Sequence, residues 1–263
     1  MDEENKIISS TSEDKDNEIK KIDEKVRSKS LTKPGGSKFK KYCDFFVGKR
    51  GFFAFLKYEI ITGLFASCPG AAGIFLRGIF YRFLLKKVGK GVSFGKNIMF
   101  RHPNKIIIGN NVVIDDNCML DAKGNTNGGI VIEDGVFLGR NTILSCKDGD
   151  IILRENVNLG FNCDIFSGKK IEIGKDTMIA AYTYFVAGNY VYDSADKPAT
   201  EMDTICKGIY VGENCWFGAK ALIFDGVTIG RNSIIGGAAV VNEDIPEYSV
   251  AVGMPAKVVK SRK

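Results

Sequence analysis

Residues 211–241 read VGENCWFGAKALIFDGVTIGRNSIIGGAAVV. A large apolar residue returns every six positions: Val211, Phe217, Ile223, Ile229, Ile235 and Val241. Six is neither the period of a helix nor the simple alternation of an isolated strand. It fits a unit made of one short strand and one bend. Three such units close a triangular coil of about 18 residues, and each coil stacks on the last through backbone hydrogen bonds.

Upstream, the same spacing gives Ile108, Ile114 and Leu120, then Ile132, Leu138 and Leu144. Leu153, Leu159 and Ile165 follow, and then Ile173, Ile179 and Phe185. With these as position 1, position 2 is often glycine, as at Gly109, Gly139, Gly160, Gly174, Gly218 and Gly236. Position 5 is small or β-branched, as at Val112, Cys118, Thr142, Cys163, Thr177, Cys215 and Ala239. Positions 1 and 5 point inward. Each buried Ile, Leu or Val contributes roughly 1.5–3 kcal/mol, and the gain recurs at every coil.

The register breaks after Leu120, Leu144, Ile165 and Phe185, each time after a third hexapeptide. The extra residues therefore leave from one corner of the prism. The longest insertion, residues 186–210, predicts a protruding loop, and such loops carry function.

The chain has 263 residues and a formal net charge of +6, unevenly spread. Residues 1–24 carry 9 acids and 4 bases, whereas residues 25–90 carry 15 bases and only Asp44 and Glu59 as acids. Residues 1–38 read as a disordered charged tail, with no aromatic residue and no apolar period. Its acidic opening, Met1 to Glu4, is unlike a secretory signal. Residues 39–90 are rich in aromatic and basic residues, with 13 of the 28 aromatics between Phe39 and Phe83. Lys40, Lys41, Lys49, Arg50, Lys57, Arg77 and Arg82 are interleaved with them. The longest uncharged run, Ile60 to Leu76, is short for a membrane span and is broken by Pro69-Gly70. Two readings stand: amphipathic helices on an anionic membrane surface, or a helical cap over the open edges of the coil. The two are compatible. The basic charge also suits nucleic acid, but the density of phenylalanine suits lipid better, so no nucleic-acid partner is expected.

Seven scattered cysteines without a CxxC pair give no zinc signature, and no metal site is expected. They read as small core residues of a protein in a reducing compartment. The expected location is the cytoplasm, peripheral at the inner face of the membrane if the aromatic segment meets lipid.

From about residue 70 onward the chain resembles the hexapeptide-repeat acyltransferases, specifically the branch that O-acetylates sugars and polysaccharides. The motifs are Cys215-Trp216-Phe217-Gly218-Ala219, Asp225-Gly226-Val227-Thr228-Ile229-Gly230, Asp244-Ile245-Pro246 and Gly253-Met254-Pro255-Ala256-Lys257. The resemblance implies an all-β fold, a left-handed parallel β-helix over residues 91–263 with an N-terminal amphipathic helical segment. The left hand comes from the resemblance alone, since the usual rule for parallel connections gives the right hand.

The resemblance further implies a homotrimer with sites between neighbouring prisms, acetyl-CoA as co-substrate and a sugar or glycan as acceptor. Trp216, Gly218 and Ala219 would line the pantetheine arm, Gly236, Gly237 and Ala238 would do so one coil later, and Lys257 would meet the CoA phosphates. Plain corner geometry also calls for small residues at these places.

The catalytic stretch departs from the pattern. The family places a histidine in Gly-Asn-His-x-x-Asp, and here the chain reads Gly188-Asn189-Tyr190-Val191-Tyr192-Asp193. A general base is worth about 10²- to 10⁴-fold in rate. A tyrosine with a pKa near 10 is ionised about once in a thousand at neutral pH. Asn189, Tyr190 and Asp193 are the candidate catalytic residues. His102, the one histidine, reads as structural, with a role across a trimer interface as the other option.

Two functions compete on this sequence. One is acyl-CoA-dependent transfer, of acetyl in the first instance, to a sugar hydroxyl, slowed by the missing base. The other is a non-catalytic scaffold or binding subunit that kept the prism. A carbonic anhydrase of this fold needs three histidine ligands, and a nucleotidyltransferase needs an N-terminal α/β domain with a phosphate loop; neither is present.

Overall fold

The computed structural model describes residues 31, 34–191, 198 and 202–263. Most of the charged segment 1–38 lies outside them, as do Asp193 and most of the stretch 192–201. From residue 87 onward the chain is a left-handed β-helix of parallel strands with three faces.

Face 1 stacks Lys87–Val88, Ile106–Ile108, Ile130–Ile132, Ile151–Leu153, Ile171–Ile173, Ile209–Val211 and Thr228–Ile229. Face 2 begins at Ser93–Phe94 and runs through Trp216–Phe217 and Ile234–Ile235 to Ser249–Val252. Face 3 runs from Met99–Arg101 through Tyr184–Ala187 and Leu222–Phe224 to Val240–Val241. The register pairs position 1 with position 1: Ile108 with Ile132, Ile114 with Leu138, Leu120 with Leu144. Ile114, Leu120, Ile229 and Ile235 are wholly buried, as are the position-5 residues Val112, Cys118, Thr142 and Ala239. At each end, one coil lies beyond the run of position-1 residues Ile108 to Val241 and within the expected 91–263. Phe94 and Phe100 fill the first rung, and Ile245 and Ala251 fill the last.

The corners have their own chemistry. Position 4 bends the chain in the left-handed region, with φ of 54° at Asn111, 60° at Asn141 and 58° at Asn232. Asparagine tolerates this conformation better than most residues. It also bridges coils, as Asn214 Nδ2 donates to Asn232 Oδ1 at 2.7 Å and Asn156 Nδ2 to Asp176 Oδ1 at 2.9 Å. The corner between faces 2 and 3 keeps asparagine through Asn162, then changes to Tyr182, Lys220 and Ala238. The corner between faces 3 and 1 receives all four insertions. Aspartates hold the chain there as it enters face 1: Gly129 N donates to Asp150, Gly208 N to Asp225 and Thr228 N to Asp244.

The first rung would be an open edge, because its Phe94 and Phe100 carbonyls point away from the next coil. Helices α1 (Lys38–Tyr42), α2 (Phe52–Phe65) and α3 (Gly70–Phe80) lie against that end. Tyr58 Oη donates to the Phe100 carbonyl at 2.7 Å. Arg77 Nε donates to the Phe94 carbonyl at 3.0 Å, and its Nη1 bonds the Phe65 and Cys68 carbonyls. Arg77 is only 2% exposed, so it is a buried staple and takes no part in a basic surface. The Tyr81 ring sits edge-on to Phe94 and Phe100, continuing the core of the prism into the helices.

Candidate active site

The protruding chain leaves face 3 at Tyr184–Ala187 and returns to face 1 at Ile209–Val211. Its two described arms zip together. Asn189–Tyr190 pairs antiparallel with Thr204–Ile205, and Val191 N donates to the Asp203 carbonyl at 2.8 Å. Asn189 bends back so that its Oδ1 accepts the Tyr190 N–H at 2.9 Å. The two arms, with the next coil, form an open cleft of about 620 Å³ lined by Asn189, Tyr190, Lys207, Phe224, Asp225 and Asn242 among others. Tyr190 is half exposed there, with room for a ligand beside its ring.

Lys207, Phe224, Asp225 and Asn242 join the cleft through the fold, beyond the site residues expected from the sequence. The available signal was Asp225-Gly226, one coil after the loop begins. Asp225 accepts the Lys207 N–H at 2.9 Å and the Gly208 N–H at 2.8 Å, which fixes the start of the Lys207 side chain. Burial pushes the Asp225 carboxyl above its ordinary value, and the two backbone donors work against that rise.

The residues assigned to CoA lie elsewhere on the same chain. Trp216 is half exposed on face 2, between Met178 below and Ile234 above. Gly218, Ala219, Gly236, Gly237 and Ala238 form the corner between faces 2 and 3 over two successive coils. Gly218 is required by the stack itself, because a Cβ there would lie 2.4 Å from Gly237 N. At Gly236 it would lie 2.7 Å from a Val252 methyl. Gly237 has more room: its nearest neighbour would be the Ala219 carbonyl oxygen, at 3.3 Å. Lys257 is exposed on the last strand, Lys257–Ser261, and pairs with Glu243 at 3.1 Å.

The two sets share a height but not an edge. The cleft spans the rungs of Tyr184, Leu222 and Val240, and Trp216 and Gly236 sit on the last two of these. Face 3 separates them, about 13 Å across for the four rises from Ala221 to Asp225. One chain therefore does not bring the cleft and the CoA-side corner together.

His102 stands apart from both. It leaves face 3 on the first rung, four rungs and about 19 Å below the loop. Its ring nitrogen Nε2 bonds the Asp44 carbonyl at 2.9 Å and its backbone N–H bonds the Phe46 carbonyl. Burial holds the imidazole below its ordinary pKa. This is a joint between cap and prism. Among the described residues no cluster of three or more His, Cys, Asp or Glu could hold a metal.

The pattern of the hexapeptide repeat of succinyl-transferase matches residues 208–243. A Mycobacterium tuberculosis protein named "Probable acetyltransferase" is 34% identical over 128 residues, 49% of this chain and 43% of its own length. Relatives in Staphylococcus aureus are 35% identical over 124 residues, 62% of their length. The chain thus spans about half the length of these curated relatives. The dTDP-4-amino-4,6-dideoxy-D-glucose acyltransferase of Escherichia coli is 28% identical over 178 residues, 67% of this chain and 82% of its own. Among solved structures, the N-acyltransferase AntD of Bacillus cereus with dTDP and 3-hydroxybutyryl-CoA superposes with a TM-score of 0.51. That match is 21% identical and covers 71% of this chain and 88% of AntD, a likeness of fold.

Proposed function

We propose that this hexapeptide-repeat chain transfers an acyl group, acetyl in the first instance, from CoA to a sugar or glycan. The single observation that carries the reading is the shared height of the loop cleft and the Trp216 corner. Two half-sites at one level on different edges are completed when a second copy stands alongside, as the expected homotrimer would provide. Residues on face 3 suit such contact, since Met99, Met119, Ile143, Leu222 and Val240 all face outward there. The acyltransferase relatives support the same reading.

In this mechanism acyl-CoA lies along the corner beside Trp216, Ala219 and Gly237, with Lys257 toward its phosphates. The acceptor lies in the cleft, against Tyr190, Lys207 and Asn242. Its hydroxyl oxygen attacks the thioester carbonyl carbon; the C–O bond forms and the C–S bond breaks. The hydroxyl proton ends on the departing CoA sulfur. Tyr190 orients the acceptor by hydrogen bonding. Much of the rate then comes from holding the two reactants together. His102 does not supply the base from a neighbour, because a parallel trimer keeps it four rungs below the loop.

A second reading has its own observation. An amine acceptor is nucleophilic once neutral and makes less demand on a base, which suits Tyr190, and the Escherichia coli relative is named for an amino sugar. Incubation of the full chain with acetyl-CoA and matched hydroxy and amino sugars, read by mass spectrometry, decides between them. An acetyl group on either product supports transfer, and its position names the acceptor class. Contact of residues 39–90 with an anionic membrane surface completes the proposed setting.

A further inference from the structure

The helices that close the first rung present two surfaces. Tyr58, Ile61 and Tyr81 point into the core and are buried. The opposite side of α2 carries Phe53, Leu56, Ile60 and Leu64, spaced three and four apart and therefore on one face. Phe53 is 84% exposed and Leu64 65%. The opposite side of α3 and the turn after it carry Phe75, Ile79 and Phe83, again four apart. Phe75 is 68% exposed and Phe83 60%. Apolar side chains this large and this grouped mark an interaction surface.

The charge around the patch is of one sign. Lys49, Lys57, Arg82 and Lys86 are exposed beside it, Lys57 also bonding the Phe83 carbonyl and Arg82 the Gly78 and Gly89 carbonyls. Asp44 and Glu59 are the two acids between residues 38 and 90, and each is engaged: Asp44 with Arg50, and Glu59 with the Tyr42 hydroxyl. Among the described residues no helix is long and apolar enough to cross a membrane. α2 has 14 residues and α3 has 11. Short helices packed by one side on the prism, with an apolar outer side and flanking cations, suit the interfacial layer of a bilayer rather than a span through it.

Resting on the membrane setting proposed above, we infer that the outer faces of α2 and α3 dock as one unit on an anionic lipid bilayer. Phe53, Leu64, Phe75 and Phe83 enter the acyl boundary, and Lys57 and Arg82 meet the headgroups. The inner faces stay locked on the first rung by Tyr58 and Arg77, so the helices need not unfold to bind. The prism then stands with its first coil toward the lipid and the loop cleft on the far side.

The test is flotation of the full chain with vesicles of phosphatidylcholine and phosphatidylglycerol, and with phosphatidylcholine alone. The protein is expected to float with the anionic vesicles at low salt and to bind them several-fold less at high salt, where charges are screened. The combined variant Phe53→Glu, Leu64→Glu and Phe75→Glu is expected to lose at least tenfold in partitioning. Its melting temperature should match wild type, since all three side chains are exposed. Substituting Phe75→Glu alone gives a milder variant should the triple fail to fold. Failure of wild type to float overturns the inference, as does undiminished flotation of the variants. Vesicle-independent self-association that the triple variant abolishes would show that a second copy covers the face, and would also overturn it. Acyl transfer to a soluble acceptor, measured on the same samples, separates the two proposals: transfer without flotation leaves the enzyme reading intact, and flotation without transfer leaves the docking intact.

Discussion

Gly218 and Gly237 stand one coil apart with their backbones in contact, so that a Cβ on Gly218 would lie 2.4 Å from Gly237 N. The contact separates packing from binding within one motif. Gly218→Ala should destabilise the fold by about 3 kcal/mol, the upper part of the range for overpacking, because backbone cannot move aside as a side chain can. Gly237→Ala needs a shift of only a few tenths of an ångström from the Ala219 carbonyl oxygen, at 3.3 Å. It should cost less than about 1 kcal/mol in stability, yet weaken acyl-CoA binding at least tenfold by filling the corner. Melting curves and calorimetric titration of the two variants check both halves.

The register of the prism is tested at Ile114, which is wholly buried. Ile114→Ala should cost about 2–5 kcal/mol through lost transfer energy and a residual cavity. Ile114→Asp should prevent soluble folding, since an unpaired charge would enter an apolar core. Urea unfolding of the alanine variant, with m unchanged, reads the cost.

Arg77 gives a test of the cap. Its guanidinium serves the carbonyls of Phe65, Cys68 and Phe94. Arg77→Met keeps much of the volume and removes every donor, leaving acceptors that each cost about 1–3 kcal/mol when buried and unpaired. A loss of about 3 kcal/mol is expected. Hydrogen exchange should speed up in α2 and α3 before the later coils.

His102 makes stability depend on pH. Burial lowers its pKa from the ordinary 6.5. Between that lowered value and 6.5 the unfolded chain binds a proton that the folded chain does not. Its contribution is therefore complete above the unfolded pKa and is lost as pH falls through the folded one. His102→Asn, a residue suited to the φ of 51° at this position, removes that dependence. The difference in melting temperature between about pH 8 and about pH 5.5 should be smaller in the variant than in wild type.

Sequence and structure agree most closely where a signal repeats. Ile108, Ile132 and Leu153 announce one another, because each fills the same place in successive coils. The insertions after Leu120, Leu144, Ile165 and Phe185 share a corner for the same reason. The end coils of Phe94 and Ala251 fall within the expected 91–263 but carry the six-residue period too weakly for their position-1 residues to be named from it. Tyr58 and Arg77 were illegible for a different reason: their partners, the Phe100 and Phe94 carbonyls, lie 42 and 17 residues away and are backbone atoms with no signature of their own. Arg77 reads as one more surface cation until the edge it caps is seen. Asn189 and Tyr190 do line a cleft, but Lys207 and Asn242 enter it only because the loop returns beside the next coil. The asparagines at position 4 are visible in the sequence, and their left-handed φ turns many of the corners, with Tyr182, Lys220 and Ala238 turning three others.

Acceptor-dependent release of CoA by the full chain decides whether this prism transfers acyl groups. The expected result is slow release from acetyl-CoA that requires a sugar, falls at least tenfold in Trp216→Ala, and rises at least tenfold in Tyr190→His with CoA affinity unchanged, as restoring a base should give. The contrary result is equally plain. If neither wild type nor Tyr190→His binds acetyl-CoA by calorimetry or releases CoA with any sugar, the prism is a scaffold and the enzyme reading is wrong.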